Sequence, residues 1–357
     1  MANKKKKSSA LDVKESLEAA KFIVENAKDV TINKENIKHF RTALKIFCNE
    51  NRENRENSEI FLNAFFRPED YPDFTEKTVD WLFVFHTLNF SLFYPKGTKQ
   101  WQAGDSDGYN ALSFAIKRAI DEKKPLWDPK YYSKLTESEL KHIFRSDDGE
   151  TTIPLLNKRR MILHEVGNVL LKKYKGTFKN CVKKAKYNQD KLVKLLFDEF
   201  EPYRDEAKYK NKTVRLYTKA NSLIKDIWAC YKKKNMFHLN EEKMMSTIFI
   251  DYRSPIVLFY FGILTYSDKL LRKFTNNNQP LKHGDREELE IRACSLIAVN
   301  EIFEQIKVEW NQINPEYDRC ISIIIDNFLL LYIAEYFHKY VYMYDQYPFH
   351  YITSVHY

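Results

Sequence analysis

The chain has 357 residues, of which only 8 are Gly and 11 are Pro, together about 5% where average usage would be about 12%. So few turn-forming residues argue against an all-β protein, and the glycine spacing excludes a dinucleotide-binding G-x-G-x-x-G motif and a P-loop. Hydrophobic residues make up 44% of the chain, which excludes global disorder, and four of the charges behind the net +9 lie in one lysine run, residues 4–7.

The first elements along the chain are predicted from capping and periodicity. Residues 1–10 predict a solvated, disordered basic tail, with a nucleic-acid or nuclear-import patch as the alternative for the lysine run. Asp12 and Glu15 have the spacing of a helix N-terminus and precede apolar residues at helical intervals. Residues 79–93 are dense in aromatic side chains, and their periodicity leaves both a strand and a buried helix open. Any minor β element is expected near 80–108, where the glycines are concentrated.

The second half of the chain predicts further helices. Apolar residues at helical spacing indicate helices at 161–175 and around 192–200. Residues 320–342 are apolar on almost every side near their start, which predicts a central buried helix. The fold class is therefore mainly α, with one compact multi-helix domain over residues 11–357 and two helical lobes as the alternative.

Two capping patterns mark helix starts in this half. Ser254 and Pro255 are typical of the N-cap and first position of a helix, which is expected to continue to Tyr266. Asp285 and Glu288 have the spacing of a capping box and open a long amphipathic helix. The capping pattern thus accounts structurally for the acidic residues of this G-D-R-E-E segment.

The remaining composition bears on compartment and cofactors. The 5 cysteines lack C-x-x-C spacing and the start lacks a hydrophobic leader, so we expect reduced thiols in a cytoplasmic protein, with a nuclear location also open. The two most apolar stretches are too short, or too interrupted by polar residues, to span a bilayer, so no membrane partner is expected. The histidines lack zinc-ligand spacing and no cofactor motif appears, so we expect neither a metal nor an organic cofactor.

Asp326 is the first candidate for chemistry. It lies beside Asn327 inside an apolar run, where a carboxylate costs several kcal/mol unless it is paired or hydrogen-bonded. Its sequence position is compatible with an ion pair to Arg253 or Arg292, with exposure to solvent, or with a carboxylate that faces a ligand.

Asp251 is the second candidate. It follows an apolar run and precedes the predicted helix start at Ser254, and a helix N-terminus favours the ionised carboxylate. It therefore either assists the N-cap or stabilises a developing cation at a pocket wall. His86, which lies among aromatic residues, is more typical of a hydrogen-bonded core histidine than of a ligand.

Several segments resemble one protein family in the same order along the chain. The segment from Trp81 to Phe90 reads W-L-F-V-F-H-T-L-N-F, and Gly108-Tyr109 opens the next. Further matching segments lie at 144–147, 203–205, 249–253, 267–268, 284–292 and 348–350. Together they resemble the queuosine salvage proteins, which are queuosine-5′-phosphate N-glycosylases, from about residue 20 to the last residue. Each segment is weak alone, but their shared order argues against a chance match.

The resemblance implies both an activity and a fold. The activity is hydrolysis of the N-glycosidic bond of queuosine 5′-phosphate, which releases queuine for reuse in tRNA modification. The fold would be all-helical and similar to the helix-hairpin-helix DNA glycosylases. Carried over by position, Asp251 would be the catalytic carboxylate, and Phe249, Tyr252, Asp326 and Asn327 would line the base and ribose pocket.

The implied chemistry suits these residue types. Cleavage builds positive charge on the ribose, which an ionised Asp251 would stabilise or attack transiently. The 7-deazaguanine base has no N7 to protonate, so more of the catalysis must come from stabilising the cation. Asp326 would accept hydrogen bonds from N–H groups of the base. The candidate cations for the phosphate are Arg253, Lys219 and Arg292.

Two positions depart from the family pattern. His86 stands where the family usually has Asp, and Leu331 replaces an Asp that family members tend to carry. A His expected ahead of Trp81 also has no clear counterpart. Polar contacts to the base or its cyclopentenediol arm, among them one from His86, are therefore expected to differ.

Two other classes of function stay open at this point. A nucleic-acid binder or DNA-repair glycosylase is favoured by the positive charge, but the chain lacks a Gly-rich hairpin that could approach phosphates. A catalytically inactive queuine-binding protein is suggested by the departures at His86 and Leu331. The expected partner is the small nucleotide itself, without a stable nucleic-acid partner.

Overall fold

The protein is described by a computed structural model over residues 13–50, 76–95, 97–231, 239, 247–248, 250–276, 280–313, 321–338 and 350–356. These ranges contain fourteen α-helices and six short strands, which confirms the mainly α fold. The helices are α1 (Val13–Glu25), α2 (Ile37–Glu50), α3 (Glu76–Leu88), α4 (Gly108–Asp121), α5 (Pro129–Tyr132), α6 (Glu137–Ile143), α7 (Leu156–Lys173), α8 (Lys179–Lys184), α9 (Gln189–Glu199), α10 (Thr218–Tyr231), α11 (Ser254–Tyr260), α12 (Asp268–Asn276), α13 (Arg286–Ile313) and α14 (Ile321–His338). The strands are β1 (Val30–Ile32), β2 (Glu206–Tyr209), β3 (Lys212–Arg215), β4 (Leu264–Tyr266), β5 (Leu281–Lys282) and β6 (Ile352–Thr353).

The strands form three small pairs. β1 pairs antiparallel with β4, β2 forms a hairpin with β3, and β5 runs parallel to β6. The prediction allowed at most a minor β element near 80–108, and the short strands lie outside that range. Within the described part of that range, the only pairing is a single bridge between Gln102 and Asp107. The aromatic segment instead forms α3, because its apolar side chains point in every direction and all of them find a packed partner.

The buried apolar residues form two hydrophobic cores. The first core extends from Val79 to Leu239 and includes Val355, and α3 lies at its centre, packed against α4, α7 and α10. The second core contains α1, α2, α11 and α14 around the long helix α13. Phe93 packs against both cores, so the segment after α3 lies where they meet. Whether residues 11–357 form one domain or two lobes stays a prediction.

The region before α11 differs from the expected capping. Arg253 is the N-cap and Ser254 is the first residue of α11, one position earlier than predicted. The helix ends at Tyr260 rather than at residue 266, because Gly262 adopts a left-handed φ of 66° and the following residues pair with β1. The site residues 250–253 therefore lie directly before a short buried helix.

The second capping pattern is only partly realised. The helix α13 does begin after Asp285, whose carboxylate accepts from the backbone N–H of Lys282 at 2.8 Å. Glu288 is completely buried and pairs with Arg292, so it serves an ion pair in addition to a hydrogen bond from the Gly284 N–H. Asp12, the basic tail over residues 1–10 and part of the helix predicted at 320–342 lie outside the described residues. Among the described residues, no helix combines the length and hydropathy of a bilayer crossing.

Candidate active site

Asp251 lies at the entrance to α11 and is held by donors on both carboxylate oxygens. Oδ1 accepts from the backbone N–H of Arg253 at 2.8 Å and of Ser254 at 3.3 Å. Oδ2 accepts from Arg253 Nε at 2.7 Å and also from its Nη2. The carboxylate thus assists the helix start with one oxygen and forms an ion pair with the other, while 32% of its side chain stays exposed.

The charges around Asp251 favour its ionised form. Burial raises the pKa of Asp251, but the charge and hydrogen bonds of Arg253 and the charge of Lys225 outweigh it, so the pKa stands below its ordinary value. The Arg253 guanidinium in turn lies over the rings of Tyr109 and Tyr252, at 5.0 and 5.4 Å from their centroids. Asp251 is therefore an anion at neutral pH, fixed in place by a clamped cation.

Lys225 on α10 is the second cation of the site. Its ammonium is in direct contact with Asp326 on α14 and lies 3.9 Å from Asp226 Oδ1. Burial lowers the pKa of Lys225, but the charges of Asp326 and Asp226 outweigh it and keep the amine protonated. Burial and the negative charges of Asp251 and Asp226 raise the pKa of Asp326. The Lys225 ammonium lowers it, but the other effects are larger, so the pKa stands above its ordinary value. Lys225 therefore links three carboxylates from three parts of the chain.

His86 on α3 is the last member of this group of interacting side chains. Its Nε2 lies 2.7 Å from Asp226 Oδ2, and both side chains are almost fully buried. The ring of Phe85 next to it packs edge-on against Tyr109, so α3 and α4 enclose the cluster on this side. The cluster, hereafter the charged cluster, comprises His86, Lys225, Asp226, Asp251, Arg253 and Asp326.

A small open cavity lies next to the segment that carries Asp251. It is lined by residues 89–93, Tyr252 and residues 350–352. Asp251 is not among the lining residues, so Tyr252 is what joins the cavity to the charged cluster. The rings of Phe93 and Tyr252 lie 5.5 Å apart at this junction, which places aromatic surface where a planar base can stack.

Two of the residues predicted from sequence belong to a different, buried network. Arg292 is fully buried and bonds to Asp205 at 3.1 Å and to Glu288 at 2.9 Å. Lys219 donates to the backbone carbonyls of Thr87 at 3.1 Å and Val355 at 2.7 Å. Burial and the charge of Arg159 lower the pKa of Lys219 well below its ordinary value. Both side chains are therefore already engaged with protein groups.

A family model described as "Queuosine salvage protein" matches residues 69–357, which is most of the chain.

The chain belongs to the queuosine salvage protein family.

Several curated relatives of this family are similar over nearly their full length. The protein from Nematostella vectensis is 32% identical over 324 residues, which cover 90% of this chain and 90% of the relative. Those from Bos taurus and Mus musculus are each 34% identical, over 87% and 81% of this chain and 91% and 84% of the relatives. All three are named queuosine 5′-phosphate N-glycosylase/hydrolase.

The structure brings together most of the positions that the family resemblance points to. Asp251, Tyr252, Arg253, Asp326 and His86 are all within or beside the charged cluster. Asn327 follows Asp326 on α14, whereas Phe249 lies outside the described residues. The side chain of Leu331 is also outside the described part of the chain.

Sequence reasoning missed Lys225 and Asp226. They are adjacent charged residues inside the otherwise apolar middle of α10, S-L-I-K-D-I-W. The argument that singled out Asp326, a charge that must be paired because it is buried, applies equally to this pair. In the described ranges, no three His, Cys, Asp or Glu side chains are grouped as metal ligands.

Proposed function

We propose that the protein hydrolyses the N-glycosidic bond of queuosine 5′-phosphate and releases queuine and ribose 5-phosphate. Three full-length relatives at 32–34% identity carry this activity in their names. The observation in this chain that supports the proposal is the clamped Asp251 anion, which keeps 32% of its side chain exposed and whose chain neighbour Tyr252 lines an aromatic cavity.

The reaction requires a negative charge where the ribose becomes cationic. As the bond from C1′ to the base breaks, the electron pair leaves with the base and the sugar acquires oxocarbenium character. The Asp251 carboxylate, oriented by Arg253 and the start of α11, supplies a fixed anion for this charge. Water then adds to C1′, either directly or after transient attack by Asp251, and its proton is released while the departing base takes up another.

The remaining groups suit recognition of the nucleotide. We infer that Tyr252 stacks on the base, as the family resemblance also implies for Phe249. Asp326, whose side chain is 21% exposed, and Asn327 next to it can pair with polar edges of the base or the ribose. Arg253 is the most accessible of the phosphate candidates, because Lys219 and Arg292 are engaged in the buried network.

The proposal also covers the compartment, the partners and the fold of the protein. We infer that the protein acts in the cytoplasm on the free nucleotide, without a stable nucleic-acid partner. A DNA-glycosylase-like arrangement of its helices also stays part of the proposal.

The direct test is to incubate the purified protein with queuosine 5′-phosphate and to detect free queuine by mass spectrometry. The unphosphorylated nucleoside, assayed in parallel, reports whether the phosphate contributes to binding. The proposal predicts queuine from the 5′-phosphate and less from the nucleoside. Absence of queuine from both, with a folded protein, would refute it.

A further inference from the structure

A line of alternating charges runs from the interior of the protein to Asp251. It begins at His86, whose Nε2 lies 2.7 Å from Asp226 Oδ2, and continues from Asp226 Oδ1 to Lys225 Nζ at 3.9 Å. Lys225 then contacts Asp326 and lowers the pKa of Asp251 through its charge. Neighbouring groups in this line attract each other by charge or by a hydrogen bond. The loss of one group therefore changes the position of the next.

The exposed fraction of these side chains decreases from Asp251 to His86. Asp251 is 32% exposed, Asp326 is 21% and Lys225 is 18%, whereas Asp226 is 6% and His86 is 4%. Asp251, Asp326 and Lys225 are therefore partly accessible, whereas His86 and Asp226 are almost fully buried. His86 is a poor candidate for a substrate contact, although the family resemblance placed it there.

The two oxygens of Asp226 serve different partners. Oδ2 is occupied by His86, and Oδ1 faces Lys225 at a distance that is longer than a hydrogen bond. Lys225 is consequently closer to Asp326 than to its own chain neighbour. Because His86 occupies one oxygen, Asp226 cannot take the ammonium with both.

We propose that His86 is a positioning residue that acts through Asp226 to hold the Lys225 ammonium on Asp326, where its charge also acts on Asp251. This inference rests on the proposed function, because it assigns His86 a role in the same site. An imidazole at this position binds Asp226, whereas a second carboxylate there would repel it.

Loss of His86 has a defined electrostatic consequence. Asp226 would be left with a buried oxygen lacking its donor and would draw Lys225 towards itself and away from Asp326. Among the described residues, the charged and titratable groups that act on Asp251 are Arg253, Lys225, Asp326, Tyr252 and Tyr109, and those that act on Lys225 are Asp226, Asp326 and Asp251. Arg253 stays in place, so withdrawal of Lys225 raises the pKa of Asp251 without abolishing its ion pair.

The kinetic test compares His86→Leu with His86→Gln in queuine release as a function of pH. Leu removes the donor to Asp226. On the acid limb of the profile, where kcat/KM falls as Asp251 is protonated, kcat/KM should therefore decrease about tenfold, which corresponds to a rise of about one unit in the apparent pKa. Gln retains a donor at the position of Nε2 and should recover most of this loss. The control is His164→Leu on α7, since His164 bonds to the Leu135 carbonyl at 2.8 Å and, among the described residues, has no hydrogen bond or ion pair with the charged cluster, so the variant should leave the profile unchanged. An unchanged profile for His86→Leu would overturn the proposal.

A double-mutant cycle separates positioning from substrate contact. Asp226→Asn removes the charge through which His86 acts, so His86→Leu should have no further effect on kcat/KM in that background. If His86 touches the substrate, the two losses add, and the proposal is wrong.

The crystal structure of the His86→Leu protein provides a readout that does not depend on turnover. The proposal predicts that Lys225 Nζ has moved from Asp326 to Asp226. An ammonium that remains on Asp326 would overturn the inference even if the protein hydrolyses queuosine 5′-phosphate. A moved ammonium in a protein without that activity would refute the proposed function alone.

Discussion

Replacement of Arg253 by Gln tests whether the guanidinium keeps Asp251 ionised. The variant removes the two side-chain donors to Asp251 Oδ2 but leaves the backbone N–H groups of residues 253 and 254 on Oδ1. The carboxylate should therefore stay in position while its electrostatic partner is lost.

The size of the effect follows from the geometry. An opposite charge in direct contact lowers a carboxyl pKa by about 1–3 pH units. Since 32% of the Asp251 side chain is exposed, solvent screening favours the lower end, about one pH unit or a tenfold change in the ionised fraction on the acid limb. Because the pKa of Asp251 is depressed in the native protein, its anion is present above that pKa and is lost as the pH falls. The variant should move this loss to higher pH.

The assay is kcat/KM for queuine release from about pH 3, below the ordinary carboxyl pKa, to about pH 8. The acid limb of Arg253→Gln should shift upward by about one pH unit, with a smaller change on the neutral plateau. The matched control is Arg215→Gln, which removes another guanidinium that pairs with a carboxylate and covers an aromatic ring, 5.1 Å from the centroid of Phe197. An acid limb that does not move would refute the electrostatic role of Arg253, whereas a loss of equal size at every pH, on top of that shift, would report the phosphate contact proposed for this residue.

Three further predictions concern stability, and urea unfolding measures each. Arg292→Met should cost about 3–5 kcal/mol, because Asp205 would remain as a buried charge without its partner; a cost below about 1 kcal/mol would contradict the buried pair. Burial, with the charge of Arg292, lowers the pKa of His350 to about 3, so folding should weaken below the ordinary histidine pKa of 6.5 by about 1.4 kcal/mol per pH unit. His350→Gln should flatten this slope, and an equal slope would contradict it. Gly167→Ala should destabilise α7 despite the better helix propensity of Ala, because the new Cβ would lie 2.8 Å from Ser133 Cβ; a stabilised variant would show that the contact relaxes.

The sequence predicted the helices better than it predicted their ends. The mainly α class followed from low turn content and from apolar spacing, and α7 and α9 lie close to where periodicity placed them. The end of α11 was missed because pairing between β1 and β4 joins segments more than two hundred residues apart, which local patterns do not reveal. The aromatic segment at α3 was ambiguous for a related reason, since a helix buried on all sides has no polar face to set its period.

The site was predictable residue by residue but not as an arrangement. Asp251 and Asp326 stood out because each is an acid in an apolar context, and the structure links both to Lys225. The pairing of Asp326 with Arg253 or Arg292 was not realised, because α10 brings a nearer cation from a segment that sequence order does not associate with α14. His86 illustrates the same limit: its partner Asp226 lies 140 residues away.

The most direct test of the account is queuine release from queuosine 5′-phosphate by Asp251→Asn, which retains the shape of the side chain but cannot carry its charge. The account predicts a loss of at least about 100-fold in kcat, the size expected when a preorganised group that stabilises the transition state is removed, with an unfolding midpoint close to that of the wild type. Asp268→Asn, which changes an exposed acid at the start of α12, should retain full activity. A folded Asp251→Asn protein that releases queuine at the wild-type rate would contradict the central claim.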